Sequence, residues 1–193
     1  MILAVTGSIG AGKSSVFMSV AVALKSMGYS TAGLISARLA RNGERSGYEL
    51  LNLTDGATEP LATLDKPPAD QEHLFLPLCH LFFHKSALAS GNDAIFRGLQ
   101  EDCLIIDEVG HWELSGGGWA EHLALLRHRH KPVILGMRLG IADELKKLYG
   151  IDPAITVHLD SPAMGNTAQN LVNLVTGLLG RSEPGRHADA ATP

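Results

Sequence analysis

Two short stretches of this sequence carry groups suited to phosphate chemistry. The first is Gly7-Ser8-Ile9-Gly10-Ala11-Gly12-Lys13-Ser14-Ser15. A glycine, four residues, then Gly-Lys-Ser is the spacing of a P-loop. Its glycines let the backbone curl around a polyphosphate with the N–H groups turned inward. A helix opening near Lys13 adds the positive end of its dipole. Lys13 is placed to reach the β- and γ-phosphates, and the Ser14 hydroxyl to ligate Mg²⁺. The whole run from Gly7 to Ser15 is therefore expected to hold a nucleoside triphosphate, ATP or GTP.

The second stretch is Leu104-Ile105-Ile106-Asp107-Glu108. A continuous apolar run reads as a buried parallel strand. It delivers Asp107 to the strand's C-terminal end, where α/β sheets place their ligands. Asp107 suits the Mg²⁺ shell, directly or through a water. Glu108, one residue on, suits orienting and deprotonating a water that attacks the γ-phosphate. A second acid beside the metal acid favours hydrolysis over transfer. Arg138 follows another apolar run and should leave the sheet at the same edge. There it either stabilises transition-state charge or forms a surface ion pair. The expected catalytic set is Lys13, Glu108 and Arg138, and the expected metal ligands are Ser14 and Asp107.

These residues need a scaffold. Met1 to Thr6 reads as the strand before the loop, and Val16 to Met27 has helical spacing with Gly28 as its stop. Thr31 to Ala37 reads as a second strand. Leu34 to Ala40 and Arg45 to Leu53 flank Asn42-Gly43, the strongest short-range hairpin signal. Arg38, Arg41 and Arg45 lie near that turn, either as a solvated tip or as a basic flap close to the phosphates. Leu61 to Leu64 reads as a short strand. Leu74 to Phe83 is strongly apolar and reads either as a buried element or as a patch for a substrate or protein partner. His80 and His84 within it, at four-residue spacing, would share a helical face and could ligate a metal, but no second ligand cluster completes such a site.

Further along, Ala87 to Gln100 reads as a helix weakened by Gly91 and Gly98. Trp119 to His130 is a helix with a basic end, Pro132 to Leu135 a strand, and Ile141 to Tyr149 a helix ended by Gly150. Ala154 to Leu159 is a last strand and Thr167 to Leu179 a closing helix. Residues 181–193 lack an apolar pattern and read as a disordered tail, leaving 1–180 as one domain. The alternation argues for an α/β fold, a mostly parallel sheet with helices on both faces and an inserted β-hairpin.

Composition sets outer bounds. The 193 residues are 45% hydrophobic and 19% charged, with a formal net charge of -4. That balance gives no reason to expect a nucleic-acid or membrane surface. No apolar stretch reaches membrane-spanning length. The apolar N-terminus runs straight into the P-loop without a basic lead, unlike a secretory signal. The two cysteines make no disulfide framework, so a cytoplasmic protein is expected, monomeric or weakly oligomeric.

Asp107-Glu108-Val109-Gly110-His111-Trp112-Glu113-Leu114-Ser115 resembles the Asp-Glu-Ile-Gly-x-Met-Glu signature of the cancer-related, or thermophile, nucleoside-triphosphatase family. Gly33, Gly43, Arg45, Gly47 and Tyr48 are similar to that family's glycine-rich hairpin. The resemblance covers most of residues 1 to 180. It implies a RecA-like core and slow, broadly selective, Mg²⁺-dependent hydrolysis of nucleoside triphosphates. By position it implies a metal role for Asp107, a base role for Glu108 and a supporting role for Glu113. Arg45 on the hairpin becomes a nucleotide contact. Asn166, after the last strand, becomes a contact to the base. The chain departs from the family pattern at Arg38, Ala40, Trp112 and Thr167, and residues 65 to 85 match nothing in it.

Three functions fit these residues: a nucleoside-triphosphate phosphohydrolase, a P-loop kinase of a nucleoside or cofactor precursor, and a weakly catalytic nucleotide switch within an assembly system. The second would hold its acceptor with the 74–83 segment and the arginine hairpin. The third would dock its partner through Leu74 to Phe83.

Overall fold

The computed structural model describes residues 1–160 and 166–182. In chain order its elements are β1 (Ile2–Thr6), α1 (Lys13–Ser26), β2 (Thr31–Arg41), β3 (Glu44–Asn52), β4 (Thr58–Thr63), β5 (Phe75–Leu78) and β6 (Leu81–His84). Then follow α2 (Lys85–Gly98), β7 (Cys103–Val109), α3 (His111–Leu114), α4 (Ala120–Leu123), β8 (Val133–Met137), α5 (Ala142–Tyr149), β9 (Ile155–His158) and α6 (Thr167–Ser182).

The strands form one sheet in the order β5-β6-β4-β3-β2-β7-β8-β1-β9. From β2 to β9 the neighbours are parallel. Both faces of this half are covered, which is why its strands are apolar without alternation. Ile2 and Ala4 of β1, with Leu104 and Ile106 of β7, face a core that includes Ile95, Leu123 and Leu145 of α2, α4 and α5. Leu3, Val5, Cys103 and Ile105 face the opposite core, with Phe17 and Leu24 of α1 and Leu171 and Val175 of α6. The parallel strands end at a common edge, so the segments leaving β1, β7 and β8 can meet there.

The antiparallel half is larger than one inserted hairpin. The expected second strand and the first hairpin arm are a single strand. Thr31 to Leu34 of β2 pair with β7, and Leu34 to Arg41 pair with β3. Asn42 and Gly43 make the turn at φ 53° and 83°, as a two-residue hairpin loop demands. β4 then pairs with β3, and β6 with β4.

Residues 74–83 are neither a buried core element nor a helix. They carry most of a second hairpin, β5 against β6, at the sheet's edge, where Pro77 is tolerated. His80 therefore lies in a turn and His84 at a strand end, its ring tilted against Phe75 with centroids 4.3 Å apart. The helical face that would have paired them does not exist. Among the described residues no group of three or more His, Cys, Asp or Glu is arranged for a metal.

The expected helix over 119–130 is one α turn, α4, followed by a 3₁₀ segment at Ala124–His128. α6 continues through Arg181 to Ser182, two residues into the expected tail, and 183–193 lie outside the described residues. No described helix is long and apolar enough to cross a membrane.

Candidate active site

The segment between β1 and α1 is a tight loop. Gly10 and Gly12 have φ of 86° and 90°, a region costly for residues with a Cβ. No side chain caps the N-terminus of α1, and its first turn holds no acid. The helix thus presents amides and positive dipole to whatever anion the loop receives. Lys13 is buried, and its Nζ donates to the Gly7 and Ser8 carbonyls at 3.0 and 3.2 Å. The ammonium is held at the loop. Ile9 is 74% exposed at the loop's crest.

β7 brings the acidic pair to this loop. The Ser14 hydroxyl donates to Asp107 Oδ2 at 2.7 Å. The Ser36 amide reaches the same oxygen at 3.4 Å, and the Glu108 amide donates to Oδ1 at 3.0 Å. Asp107 is fully buried. Burial pushes its carboxyl up to about 7, the Ser14 hydrogen bond opposes this, and the neighbouring Glu108 charge adds to it. Only neutral donors offset the buried charge, and a cation at this corner would stabilise the ionised form. Two oxygens of hard-ligand type, Ser14 Oγ and Asp107 Oδ2, already converge there, so the donor set fits Mg²⁺.

Asp107 and Glu108 diverge because the strand bulges between them. Ile106 pairs with Leu135 and Val109 with Met137, so two residues of β7 oppose the single Gly136 of β8. Glu108 takes up the excess at φ 63°, in the left-handed region where a non-glycine residue is strained by about 1–2 kcal/mol. Asp107 stays buried while Glu108 is half-buried beside a cleft of about 460 Å³. Gly136 makes the bulge possible. A Cβ there would lie 2.7 Å from Asp107 Oδ1 and 2.6 Å from the Phe17 ring. Nothing in the local sequence marks Gly136 as part of the site, because its role depends on which strand lies beside β7.

Arg138 follows β8, the strand between β1 and β7. Its amide donates to the Val109 carbonyl at 3.0 Å, and its side chain lies over Gly110, lining the same cleft as Glu108. Arg45 is held elsewhere. Its guanidinium lies 2.6 Å from His80 Nε2 and donates to the Tyr48 hydroxyl at 3.3 Å, so the described contacts tie it to the edge hairpin and not to the P-loop. Arg38 and Arg41 are exposed. Asn166 is exposed too, its carbonyl accepting from the Asn170 amide in the first turn of α6, and residues 161–165 before it lie outside the described residues.

A further acid was not anticipated. Asp160 accepts from the Ser8 amide and the Ser8 hydroxyl, both at 2.7 Å. These bonds hold its carboxyl below the usual carboxylate range. It ties the start of the P-loop to the end of β9, beside the Thr6–His158 contact at 2.5 Å. The only sequence signal was an acid after an apolar strand, and its partner is 152 residues away.

Glu113 supports the segment after Glu108. It is buried, accepting from the Gly110 amide at 2.7 Å and the Trp119 amide at 3.3 Å. Burial dominates those bonds and pushes its carboxyl up to about 7 from an ordinary 4.5. The folded chain therefore binds this proton more tightly than the unfolded chain. Its stabilising effect is complete below the ordinary value and is lost as pH rises towards 7. Urea unfolding should show the wild type losing about 2 kcal/mol more than Glu113→Gln between about pH 5 and pH 7. Parallel pH dependences in the two proteins would contradict the assignment.

A family model described as NTPase matches residues 2–154. The nucleoside-triphosphatase THEP1 of Methanosarcina barkeri is 27% identical over 135 residues, 68% of this chain and 73% of that protein. THEP1 of Methanocaldococcus jannaschii is 24% identical over 143 residues, 74% of this chain and 81% of the relative. Among solved structures, the crystal structure of THEP1 from Aquifex aeolicus aligns with a TM-score of 0.64 at 16% identity, covering 91% of this chain and 99% of that one. The solution structure of a human cancer-related nucleoside triphosphatase aligns with a TM-score of 0.65 at 19% identity, covering 91% and 97%. Both share the fold described above.

Proposed function

The chain belongs to the NTPase family, and from that premise we propose that it cleaves nucleoside triphosphates to the diphosphate and phosphate with Mg²⁺ as cofactor, using Glu108 as general base. One observation carries this reading: the bulge opposite Gly136 leaves Asp107 on Ser14 at 2.7 Å while its neighbour Glu108 lines an open cleft.

The loop amides and Lys13 hold the β- and γ-phosphates, the ammonium exchanging the Gly7 and Ser8 carbonyls for phosphate oxygens. Ser14 and Asp107 would hold Mg²⁺, which when bound neutralises charge on the phosphate oxygens. Glu108 accepts the proton of a water as its oxygen bonds to the γ-phosphorus. The bond from that phosphorus to the β,γ-bridging oxygen breaks, and the nucleoside diphosphate leaves. Arg138, beside Glu108 in the cleft, faces the charge that develops on the transferred group. Asp160 steadies the entry of the loop through Ser8.

Phosphate release should require added Mg²⁺ and stop in excess EDTA. Losing one divalent cation from phosphoryl transfer removes several kcal/mol of charge stabilisation, about 10³-fold or more in rate. Release at an unchanged rate in EDTA would refute the metal assignment.

A further inference from the structure

The cleft beside Glu108 is larger and more aromatic than hydrolysis requires. Its volume of about 460 Å³ is of the size that holds a small organic ligand, whereas the attacking water needs a small fraction of it. Aromatic residues make up 5% of the chain, yet both tryptophans, Trp112 and Trp119, line this one cleft together with Tyr48 and Phe83. Trp119 is buried, while Tyr48, Phe83 and Trp112 are half-exposed. Phe83 and Trp112 meet with ring centroids 4.7 Å apart. Half-exposed rings at such spacing offer offset or edge contacts to another planar ring.

The polar groups lie at particular places. Glu108 and Ser36 line the cleft, and Ser36 also touches the metal corner, its amide on Asp107 and its carbonyl 3.4 Å from the Ser14 hydroxyl. The cleft and the Ser14–Asp107 corner therefore meet at Ser36. Arg138 also lines it, and so does His80, held by Arg45.

We propose that this cleft binds a small planar aromatic alcohol and that the chain transfers the γ-phosphoryl group of a nucleoside triphosphate to its hydroxyl. The inference rests on Glu108 acting as the base for hydrolysis. The ring of the acceptor lies among Tyr48, Phe83 and Trp112, and its hydroxyl takes the place of the attacking water at Glu108. The acceptor oxygen bonds to the γ-phosphorus, its proton passes to Glu108, and the bond to the β,γ-bridging oxygen breaks. The products are a phosphate monoester and the nucleoside diphosphate. Hydrolysis is then what the site does when water fills the acceptor position.

The test uses the full chain with Mg²⁺ and γ-labelled ATP. It is offered, one at a time, the common nucleosides and a set of hydroxymethyl-substituted pyridines and pyrimidines. Labelled acceptor is separated from labelled phosphate. At least one member should be labelled about tenfold faster than phosphate is released in its absence. The same member should change the tryptophan emission of the wild type without nucleotide. Leu78→Trp, which fills the cleft from the edge hairpin, should lower the ratio of labelled acceptor to labelled phosphate about tenfold. Phosphate release with no labelled acceptor from any member overturns the proposal and leaves the hydrolytic reading standing. Neither product overturns both. A labelled acceptor whose yield ratio is untouched by Leu78→Trp overturns its placement in the cleft.

Discussion

Glu108→Gln is expected to lower phosphate release by about 10²–10⁴-fold while nucleotide stays bound, because a positioned general base contributes that much. The amide keeps the shape of the side chain and cannot take the proton of water. The bulge at Asp107-Glu108 is set by the backbone opposite Gly136, so the substitution leaves Asp107 on Ser14. Single-turnover phosphate release alongside a fluorescent-nucleotide titration separates the two effects. Turnover at the wild-type rate would remove Glu108 from the chemistry.

Lys13→Ala is expected to weaken nucleotide binding by about 10²–10⁴-fold, the equivalent of two charge-assisted hydrogen bonds of about 1.5–3 kcal/mol each. The loss should fall on affinity first and on turnover as a consequence. Lys13 now bonds only to carbonyls of its own loop in the described contacts, so the fold should survive its removal. A titration with fluorescent triphosphate, checked against an unchanged circular dichroism spectrum, measures it. Wild-type affinity in a folded variant would mean that the loop amides alone hold the phosphates.

The parts of the fold set by local chemistry were legible. The strand, loop and helix from Ile2 to Ser26, the Asn42-Gly43 turn and the stop at Gly150 follow from residues close in sequence. The parallel strands β7 and β8 were legible as apolar runs because both of their faces are covered. The segment 75–84 was not, since a short run of Leu and Phe carries no period that separates strand from helix. Its hairpin exists because β4 offers an edge with which Phe82 and Phe83 pair.

The site divided in the same way. Lys13, Ser14 and Asp107 were named from motif spacing, and the Ser14–Asp107 contact joins residues 93 apart. The divergence of Asp107 and Glu108 was not visible, because a bulge is a property of two strands. Gly136 and Asp160 were missed for that reason: each matters through a neighbour that only the strand order β7-β8-β1-β9 supplies. Arg45 reads in the sequence as part of a solvated tip or of a basic flap near the phosphates, and its described partners are His80 and Tyr48.

On the proposed mechanism the paired acids divide the work, Asp107 at the metal and Glu108 at the nucleophile. The most direct measurement is a crystal structure of the chain with Mg²⁺, a nucleoside diphosphate and aluminium fluoride as the mimic of the transferred group. Ser14 and Asp107 should lie at the metal, with a Glu108 carboxylate oxygen within about 3 Å of the axial water. An axial water held by another side chain, with Glu108 turned away from it, would contradict the account.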